Sequence, residues 1–476
     1  MSQIVIVGAG IAGLNAALTL HDAGLSCHIY EASNHIGGRM HSDAMTWGGE
    51  MVSELCGEFI DSDHDTLHDL ITRFGLKTVD LEQDGPPQRR TITYLANHFC
   101  GAEEMDEAIE SVLPIIEQQA TDAGFPTTYT SYTRTGYELD HMSAYEWIER
   151  YVPNGHQSLV GRFLEIGCMG FYGLPTKEQS ALNLIYIFAS SIPHGRPTPA
   201  RPLWGTVKIV GGNQLLPLTI AHSLPQEKIH LQHQLVSVRR NTDDTITLSF
   251  ATQQGPLEVT CDHAILTLPF STLRHVDYSQ AGFDTLKRTA ITQLGYGTIS
   301  KLFLLFDTRY WYSDGPWPRL HGSFLITDLD IQIIWDGTLG EAGTKGILVD
   351  YTGGSFGAAY SSPTPYATTR DSEQIQHYAH HCLEQLERIF PGISSHYSGI
   401  AALSYPTGDP YLRGSYSCWG VGQYTLFAGY EGVRQGPIHF AGEHCSLEKQ
   451  GYMEGAAREG ARAAREILQD LALPTS

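Results

Sequence analysis

A glycine-rich turn between two short apolar runs constrains the fold of this chain more than any other feature of its sequence. The apolar run of residues 4–7 leads into Gly8, Gly10 and Gly13, and an alanine- and leucine-rich segment follows. A second apolar run then ends at Glu31. Strand, tight turn, helix and strand within about 30 residues are typical of a dinucleotide site in a doubly wound α/β fold.

Each residue type in this turn has a physical role in such a site. Gly8 permits the turn, Gly10 lets the backbone approach a pyrophosphate, and Gly13 lets the helix lie close to the strand. The free N–H groups at the start of the helix, where Ile11 and Ala12 stand, attract phosphate oxygens. The alternative is a doubly wound sheet with the same turn and no ligand.

The segment after the second strand indicates which dinucleotide is bound. Glu31 is placed to accept hydrogen bonds from ribose hydroxyls, and its charge would repel a 2′-phosphate. With Ala32, Gly37, Gly38 and Arg39 it resembles the "EA…GGR" segment of the flavin-containing amine oxidase superfamily, which includes monoamine, polyamine and L-amino acid oxidases. The resemblance implies FAD, with the glycine pair and the planar, permanently charged arginine at its pyrophosphate.

A second match lies near the other end of the chain. Residues 438–444 read as a buried strand followed by glycine and acid, and residues 451–457 open a helix. Together they resemble the superfamily's "FAGE…GYMEGA" signature almost residue for residue. The resemblance implies that the helix N-terminus points at the flavin C2 carbonyl and stabilises negative charge there. It assigns five residues to the cofactor: Gly442, Glu443 at the ribityl or phosphate groups, Gly451, Tyr452 and Met453.

Length and composition limit the class of protein. A chain of 476 residues predicts two domains, because one hydrophobic core rarely grows that large. The formal net charge of −22 argues against nucleic acid or anionic membranes as partners and mildly favours cationic small molecules. Eight scattered cysteines without a C-x-x-C pair predict reduced thiols rather than disulfides or zinc ligands. Without a leader or a long apolar stretch, we expect a cytoplasmic protein with no transmembrane anchor.

The predicted fold class is α/β, with a Rossmann-like FAD-binding domain interleaved with an α+β substrate domain made of a sheet plus helices. In the superfamily the chain leaves and re-enters the first domain, and the resemblance places Val236 near the adenine. We predict the FAD domain at residues 1–60, 204–268 and 430–476, and the substrate domain at 61–203 and 269–429 with a helical lid region at 100–200.

Within the predicted substrate domain, residues 103–123 read as one amphipathic helix. His64 and His68 stand at i, i+4 among aspartates, which suits either a metal pair or the acidic first turn of an exposed helix. No third ligand is evident, so we predict no metal site. The likeliest strands of a second sheet are residues 302–306, 331–335 and 347–351.

Two aromatic residues from independent motifs are candidates for the catalytic site. Residues 409–416 resemble the loop in which monoamine oxidases hold a flavin-linked cysteine before a cage tyrosine. Ser415 occupies the cysteine position and cannot form the thioether, so FAD is predicted to be bound non-covalently. Tyr416 and Tyr452 match the two cage positions that flank the substrate amine and align it. Trp419 is predicted to add a third wall.

Lys301 resembles the superfamily lysine that holds a water at flavin N5. The alternative is a lysine that snorkels to solvent from the start of an apolar strand. The resemblance implies hydride transfer from the carbon bearing an unprotonated amine to N5, giving an imine that water hydrolyses to a carbonyl product and ammonia. Oxygen, with H2O2 as product, or a quinone would accept the electrons. No dedicated catalytic base is required.

The substrate is less constrained than the reaction. Gly57 and Glu58 lie where the chain passes the flavin, in a segment where L-amino acid oxidases usually present an arginine to the substrate carboxylate. Glu58 could anchor a distal ammonium or guanidinium, or pair with a local arginine or flavin group. Arg413 could bind a carboxylate if it turns inward, or be a loop arginine if it faces solvent. We therefore predict a cationic substrate, either a basic L-amino acid such as arginine or lysine or a di- or polyamine, with a simple monoamine as the alternative.

Two other classes share parts of this pattern. C–C desaturases of the protoporphyrinogen or carotenoid type carry both FAD motifs, but Tyr416, Tyr452 and Lys301 together count against them. A non-catalytic flavoprotein is disfavoured because the cage positions are occupied. The sequence does not separate an oxidase from a dehydrogenase, and a homodimer stays open.

Overall fold

The computed structural model describes residues 3–81, 91–191 and 207–472. In these ranges the strands form one eight-stranded, one five-stranded, one four-stranded and three two-stranded sheets. The strands are β1 Ile4–Val7, β2 Cys27–Tyr30, β3 Ser42–Asp43, β4 Ser53–Glu54, β5 Thr78–Asp80, β6 Ile92–Leu95, β7 His98–Phe99, β8 Val207–Ile209, β9 Ile229–His230, β10 Gln234–Arg240, β11 Ile246–Thr252, β12 Gly255–Cys261, β13 His263–Leu266, β14 Asp277–Gln280, β15 Gly295–Tyr296, β16 Ser300–Phe306, β17 Leu325–Thr327, β18 Ile333–Asp336, β19 Gly346–Thr352, β20 Tyr366–Thr368, β21 Tyr397–Ser404, β22 Ser417–Cys418 and β23 Ile438–Phe440. The α-helices are α1 Ile11–Asp22, α2 Asp65–Arg73, α3 Ala102–Glu110, α4 Leu113–Ala123, α5 Arg134–Asp140, α6 Ala144–Tyr151, α7 Leu159–Tyr172, α8 Ala181–Ser191, α9 Leu215–Ser223, α10 Phe270–Leu273, α11 Thr285–Gln293, α12 Gly354–Ala359, α13 Glu373–Ile389, α14 Gln423–Phe427 and α15 Met453–Asp470.

The five-stranded sheet is entirely parallel, in the order β23-β13-β1-β2-β9. Its central strand β1 is buried along its whole length, as expected for a parallel sheet covered on both faces. The five strands come from three separate stretches of chain, each inside one of the three ranges predicted for the FAD domain. The exact boundaries stay a prediction, and the one between residues 203 and 204 lies outside the described residues.

Two helices from opposite ends of the chain cross on this sheet at close range. A Cβ added to Gly460 of α15 would lie 2.0 Å from the carbonyl oxygen of Ala12 in α1. Nearby, Nδ2 of Asn15 donates to the carbonyl oxygen of Ala457 at 2.8 Å. The small residues at this crossing hold the first turns of both helices beside the same cavity.

The eight-stranded sheet has the order β20-β21-β16-β19-β18-β17-β6-β7. Strand β16 is buried throughout and pairs antiparallel with β19 and β21. Lys301 is its second residue and lies opposite Tyr351 of β19. The three strands predicted for this sheet are confirmed as β16, β18 and β19, with ends shifted by one or two residues. This sheet supplies the wall of the cavity that faces the five-stranded sheet.

Six helices, α3 to α8, lie within residues 102–191, where the lid region was predicted. The prediction of a single helix over residues 103–123 is wrong: α3 ends at Glu110 and α4 begins at Leu113, with Pro114 in its first turn. Proline has no N–H to donate and its ring clashes with the preceding turn, so it suits a helix start and interrupts a continuous helix. The role of these helices as a lid stays a prediction.

His64 directly precedes α2 and is fully buried, so the prediction of an exposed helix start is wrong at this residue. Its Nδ1 accepts the backbone N–H of Asp61 at 3.1 Å, and its ring packs edge-on against Tyr452 with centroids 5.3 Å apart. His68 is only partly buried, and its Nε2 lies 3.0 Å from the carbonyl oxygen of Asp61. The His64 ring therefore supports the tyrosine from behind.

The cysteines are free thiols, of which Cys56 and Cys100 are partly exposed and the other six are buried. Burial raises the pKa of Cys27 and Cys261 to about 12, so both are protonated at neutral pH. Among the described residues, no helix combines the length and the apolar character needed to cross a membrane.

Candidate active site

A cavity of about 980 Å³ runs from the glycine turn after β1 to the eight-stranded sheet. Ligand pockets usually measure about 300–1,000 Å³, so this one is large enough for an extended ligand. The structure brings every predicted site residue to its wall except Gly13 and Val236. Residues from both ends of the chain and from both large sheets therefore face one common space.

The glycine turn is shaped by contacts that exclude a side chain at two positions. A Cβ on Gly8 would lie 2.3 Å from Oγ1 of Thr267, and one on Gly13 would lie 2.0 Å from the carbonyl oxygen of Gly8. Gly10 is open, with only the carbonyl oxygen of Gly37 near it at 3.9 Å, and the two residues form an isolated β-bridge. No side chain caps the start of α1, so its first N–H groups are available to a phosphate.

Glu31 is held in place at the end of β2. Its Oε2 accepts the backbone N–H of Ala9 at 2.7 Å, and its Oε1 accepts that of Ser33 at 2.8 Å. Each carboxylate oxygen keeps a second lone pair for a hydroxyl donor. Glu31 and Ala32 both line the cavity, an arrangement that suits the predicted contact with a ribose.

Arg39 and Glu443 form an ion pair inside the cavity wall, with Nη1 and Oε1 2.8 Å apart. Arg39 also donates to the carbonyl oxygen of Ser415 at 2.9 Å. Glu443 accepts from the backbone and the hydroxyl of Ser417 and from the N–H of Gly451. Burial alone would raise the pKa of Glu443, but the charge of Arg39 holds it below its usual range. The pair joins the two predicted cofactor motifs, and its contacts with FAD stay a prediction.

The start of α15 faces the cavity without a side-chain cap. Tyr452 is the N-cap residue, with extended backbone at φ −99° and ψ 151°, and its side chain makes no capping hydrogen bond with the first N–H groups of the helix. Gly57 lies against Met453, where an added Cβ would be 2.8 Å from Sδ. Glycine at position 57 lets the segment after β4 pass close to this helix end. The N-terminal end of the helix is suited to an anionic or carbonyl group.

Val236 does not line the cavity. Its side chain is 41% exposed, and its neighbour Leu235 is the buried residue that faces the cavity. The pairing of β10 with β11 shifts register between Leu235 and Ser237, so Val236 sits at a β-bulge. The Val236 side chain thus does not reach the cavity while that of Leu235 does, and the position of Val236 near the adenine stays a prediction.

The two predicted cage tyrosines lie in the same part of the cavity. The hydroxyl of Tyr416 lies 2.7 Å from that of Tyr351 and donates to the carbonyl oxygen of Gly170 at 3.0 Å. Tyr452 follows Gly451, whose added Cβ would lie 3.4 Å from the Tyr416 ring. Burial raises the pKa of both cage tyrosines well above the usual value, so each ring is neutral.

Trp419 is buried and reaches the cavity wall. Its Nε1 donates to Oε1 of Glu431 at 2.9 Å, and its ring contacts Tyr424 with centroids 4.4 Å apart. Because its only polar atom is already bonded, Trp419 offers a substrate an apolar surface. That is compatible with the third wall predicted from the sequence.

Lys301 is buried and does not snorkel to solvent. Its ammonium donates to the carbonyl oxygens of Glu54 and Cys56 at 2.9 and 2.8 Å, and to Oε2 of Glu58 at 3.0 Å. An ammonium has three N–H donors, and these bonds use all three. A water held by Lys301 would have to replace one of them, and the role at N5 stays a prediction.

Glu58 is not available as a substrate anchor in this arrangement. Besides Lys301, it accepts from Nζ of Lys208 at 3.3 Å and from Nε1 of Trp335 at 3.1 Å. Burial would raise its pKa, but the two lysines hold the pKa below the usual range. Of the alternatives stated from the sequence, Glu58 follows the one in which it pairs with a local group. Its partners are Lys208 and Lys301 rather than an arginine or a flavin group.

Arg413 lies on the cavity rim with its side chain exposed. Its backbone is left-handed, with φ 53°, and its Nε donates to the carbonyl oxygen of Pro410 at 3.2 Å. The guanidinium therefore faces outward, as in the loop-arginine alternative. Ser415, two residues on, is buried in the cavity wall at the position predicted from the sequence.

Three residues of the site were missed by the sequence reasoning: Trp335 and Tyr351, which line the cavity, and Lys208, which contacts Glu58. Strand alternation places Lys208 on the face of β8 opposite Val207 and Ile209, which reads as a solvent face. Trp335 and Tyr351 read as core residues of their strands. No local signal identifies them, because their importance comes from Glu58 and Tyr416 on distant segments.

Around the cage the cavity is aromatic and apolar. Tyr172 and Tyr186 line it with high pKa values that burial has raised, the latter to about 12. Among the described residues, each cationic side chain on the wall other than the histidines either has an acidic or carbonyl partner or lies at the exposed rim. The apolar and aromatic lining consists of Phe171, Tyr172, Tyr186, Ile187, Trp335, Tyr351, Trp419 and Tyr424.

Fold and cavity together define a protein with a site for an extended nucleotide cofactor at the carboxyl edge of a parallel sheet. The same cavity continues into a region lined by aromatic side chains. The chain belongs to the flavin-containing amine oxidoreductase family, whose model, described as "Flavin containing amine oxidoreductase", matches residues 11–468. It is therefore an oxidoreductase of the amine oxidase class with a flavin cofactor and a small-molecule substrate.

Individual relatives are similar over nearly the whole chain. The Bacillus subtilis (strain 168) protein named "Putative L-amino-acid oxidase YobN" is 27% identical over 493 residues, covering 98% of this chain and 94% of that protein. An L-amino-acid oxidase of Demansia vestigiata is 23% identical, covering 98% and 86%. Cyclohexylamine oxidase from Brevibacterium oxydans IH-35A has a similar fold, with a TM-score of 0.81 at 21% identity and 99% of each chain covered. Putrescine oxidase bound to putrescine gives 0.78 at 20%, covering 98% and 99%.

Proposed function

We propose that this enzyme binds FAD non-covalently and oxidises a primary amine whose body is apolar, giving an imine that water hydrolyses to a carbonyl compound and ammonia. The observation that carries the proposal is the position of Tyr416 and Tyr452 beside the unblocked N-terminus of α15 in one aromatic cavity. When bound, FAD would take up the hydride from the carbon that bears the amine, and oxygen or a quinone would then accept the electrons.

The cofactor is supported by the donors that face the cavity. The open side of Gly10 and the uncapped start of α1 suit the pyrophosphate, and Glu31 suits a ribose. The uncapped start of α15 suits the pyrimidine end of a flavin. Ser415 in the wall has no thiol to form a thioether, which supports a non-covalent complex.

The chain's own residues orient the amine and keep water out. Two neutral tyrosine rings on either side of an amine restrict its approach and attract its polarised N–H and C–H groups by their π faces. The hydrogen bonds from the Tyr416 hydroxyl fix that ring. The aromatic lining lowers the local polarity, which favours the unprotonated amine that can lose a hydride.

The apolar body is proposed because the charged groups nearest the cage are already paired. Glu58, the acid that could have met a distal ammonium, is neutralised by Lys208 and Lys301. Arg413, the arginine that could have met a carboxylate, faces outward. An amino acid carboxylate or a distal ammonium would therefore be buried without a counter-charge from Arg413 or Glu58, which is costly.

Anaerobic bleaching of the bound flavin tests the proposal with three matched pairs, each an amine and the amino acid that differs from it only by a carboxylate. The pairs are tyramine and L-tyrosine, cadaverine and L-lysine, and agmatine and L-arginine. We expect fast bleaching by tyramine and by cyclohexylamine, and slow bleaching by the other five compounds.

Each deviation identifies another substrate class. Faster bleaching by the amino acid of every pair would contradict the proposal and favour the basic or general L-amino acid alternative. Faster bleaching by cadaverine and agmatine than by tyramine would favour a di- or polyamine. A flavin that no amine bleaches would overturn amine oxidation for this chain and favour the C–C desaturase or a non-catalytic role.

A further inference from the structure

Two histidines lie close together at the end of the five-stranded sheet that is farthest from the cavity. His263 is the first residue of β13, and His439 is the middle residue of the neighbouring strand β23. His439 pairs with Ile265, so both histidines project from the same face of the sheet, and their ring centroids lie 6.0 Å apart. The carboxyl ends of these strands lead to the cavity, so this pair lies at the end away from the proposed active site.

Both rings direct an unpaired nitrogen into the protein. His439 is 0% exposed and its Nε2 has no hydrogen-bond partner, and Nδ1 of His263 is buried without a partner as well. A buried polar atom without a partner destabilises the fold, so two such atoms side by side call for a ligand that binds both. A carboxylate oxygen of Asp470, in the last turn of α15, lies with one ring nitrogen of each histidine in a group whose members are all within 4.8 Å of one another.

The tautomer of His439 is set for metal binding. Its Nδ1 lies 2.7 Å from Oε2 of Glu466, and only an Nδ1–H can donate to that carboxylate. In the neutral ring Nε2 then carries a lone pair. A carboxylate on the far nitrogen of a ligand histidine is the arrangement that orients and strengthens metal-binding imidazoles.

Two other groups of potential ligands in the described residues lack these features. In the group of Asp61, Asp63 and His64, Nδ1 of His64 accepts a backbone N–H, so the proton is on Nε2 and no lone pair faces the acids. Lys449 also pairs with Asp63 there. In the group of His98, Cys100 and Glu104, the imidazole and the carboxylate are about half exposed, so both are open to solvent.

We propose that His263, His439 and Asp470 bind one divalent transition metal ion, with zinc the best match to two imidazole nitrogens and one carboxylate oxygen. A water would complete the tetrahedron. Ligand atoms around zinc lie about 3.4 Å apart at bond lengths near 2.1 Å, so the group must contract slightly on binding. Asp470 stands at a helix end and contacts Arg434 through Oδ2, so a side-chain rotation can supply the remaining movement. Such an ion would tie the last turn of α15 to two strands.

Tag-free holoprotein tests this site after treatment with EDTA and gel filtration. Isothermal titration with ZnCl2 should show one equivalent bound, and Co2+ in its place should give the visible absorption of a tetrahedral complex. His439→Gln and His263→Gln should abolish the binding, and Asp470→Asn should weaken it. Glu466→Gln should weaken it by about 10- to 100-fold, because it removes only the group that orients His439.

His98→Gln is the matched control, since it changes a histidine of an exposed group and should leave zinc binding unchanged. Flavin absorbance reports whether each variant is folded. If His439→Gln does not fold, His263→Gln and Asp470→Asn decide, because Asp470 is partly exposed at a helix end. Absence of stoichiometric binding, binding unaffected by both histidine variants, or binding lost in His98→Gln would overturn the proposal.

Discussion

The ammonium of Lys301 lies 3.0 Å from Oε2 of Glu58, and both side chains are at least 95% buried. Lys208 approaches the other oxygen of the same carboxylate at 3.3 Å. One acid is therefore shared by two cations, and Trp335 adds a hydrogen bond. This network lies beside the cage and includes residues of the eight-stranded sheet. A change in the charge of Glu58 should therefore also change the stability of that sheet.

Glu58→Gln should destabilise the protein strongly. The amide is close in shape to the carboxylate but leaves two buried ammonium groups without a counter-charge, and breaking a buried pair typically costs about 3–5 kcal/mol. Thermal unfolding of the holoprotein measures the effect. Glu138→Gln is the control, because Glu138 pairs with an exposed arginine on the surface of α5 and should leave the unfolding temperature nearly unchanged. Equal unfolding temperatures for the two variants would contradict the importance of the network.

The ring of Tyr416, rather than its hydroxyl, should carry most of the cage effect. Tyr416→Phe keeps the ring and loses hydrogen bonds to Tyr351 and Gly170, so kcat/KM for the best amine should fall only a few-fold. Tyr416→Ala removes the wall that orients the amine, and we expect a loss of about 100-fold. Stopped-flow reduction of the flavin separates the two variants. A phenylalanine variant as slow as the alanine variant would assign the main role to the hydroxyl.

The flavin should leave the protein when the chain is denatured. Ser415 stands at the position where monoamine oxidases have a flavin-linked cysteine. A serine cannot form the thioether, so the cofactor cannot be attached covalently at that position. Acid precipitation of the holoprotein should therefore leave the yellow colour in the supernatant. Cys56 is another thiol on the cavity wall, and Cys56→Ser is the control. Colour retained in the precipitate of the parent but not of Cys56→Ser would show attachment at Cys56.

Gly57→Ala should weaken flavin binding. The added methyl would lie 2.8 Å from Sδ of Met453 and would push on the first turn of α15, which faces the predicted pyrimidine end of the flavin. Overpacking of this kind costs about 1–3 kcal/mol, which corresponds to about 5- to 150-fold in affinity. Gly101→Ala is the matched control, because nothing lies within 4 Å of its added Cβ. Flavin titration of the apoproteins compares the two, and equal affinities would show that the helix start is not part of the flavin site.

Asp350 should make the stability fall as the pH rises. Burial raises its pKa from 3.8 to about 8, so the folded protein holds this proton more tightly than the unfolded chain does. The stabilisation is complete below the unfolded pKa and is lost as the pH rises through the folded one, by up to about 1.4 kcal/mol per pH unit. Asp350→Asn keeps an acceptor for the Tyr360 hydroxyl and should lack this slope. Parallel curves of unfolding free energy against pH for parent and variant, between about pH 5 and pH 8, would contradict the prediction.

The two cofactor motifs could be predicted because their chemistry is local. Gly8 has a φ of 111°, and a Cβ on Gly13 would clash with the carbonyl oxygen of Gly8 in the same turn, so the spacing alone carries the information. The second sheet could be predicted from its apolar runs. Pro114 also predicts the break between α3 and α4. The amphipathic pattern of residues 103–123 nevertheless led to the wrong prediction of a single helix.

The partners of Glu58 could not be predicted from the sequence. Lys208 and Lys301 lie 150 and 243 positions away, and no local pattern relates three such residues. The direction of Arg413 depends on a single left-handed residue in a loop, which arginine rarely adopts. Both features bear on the substrate, which explains why the class of reaction could be predicted from the sequence and the substrate could not.

The crossing of α1 and α15 also has a consequence for the order of assembly. The helices begin at residues 11 and 453, and their first turns face one cavity. A ribosome that adds about 5–20 residues per second needs roughly 20 to 90 s to pass from one to the other. During that time the glycine turn exists without the helix that packs on it, so the cofactor can meet a complete pocket only after nearly all of this sequence has been synthesised. Flavin therefore binds in the complete pocket only after α15 has been synthesised. The flavin available at that time limits how much holoprotein forms.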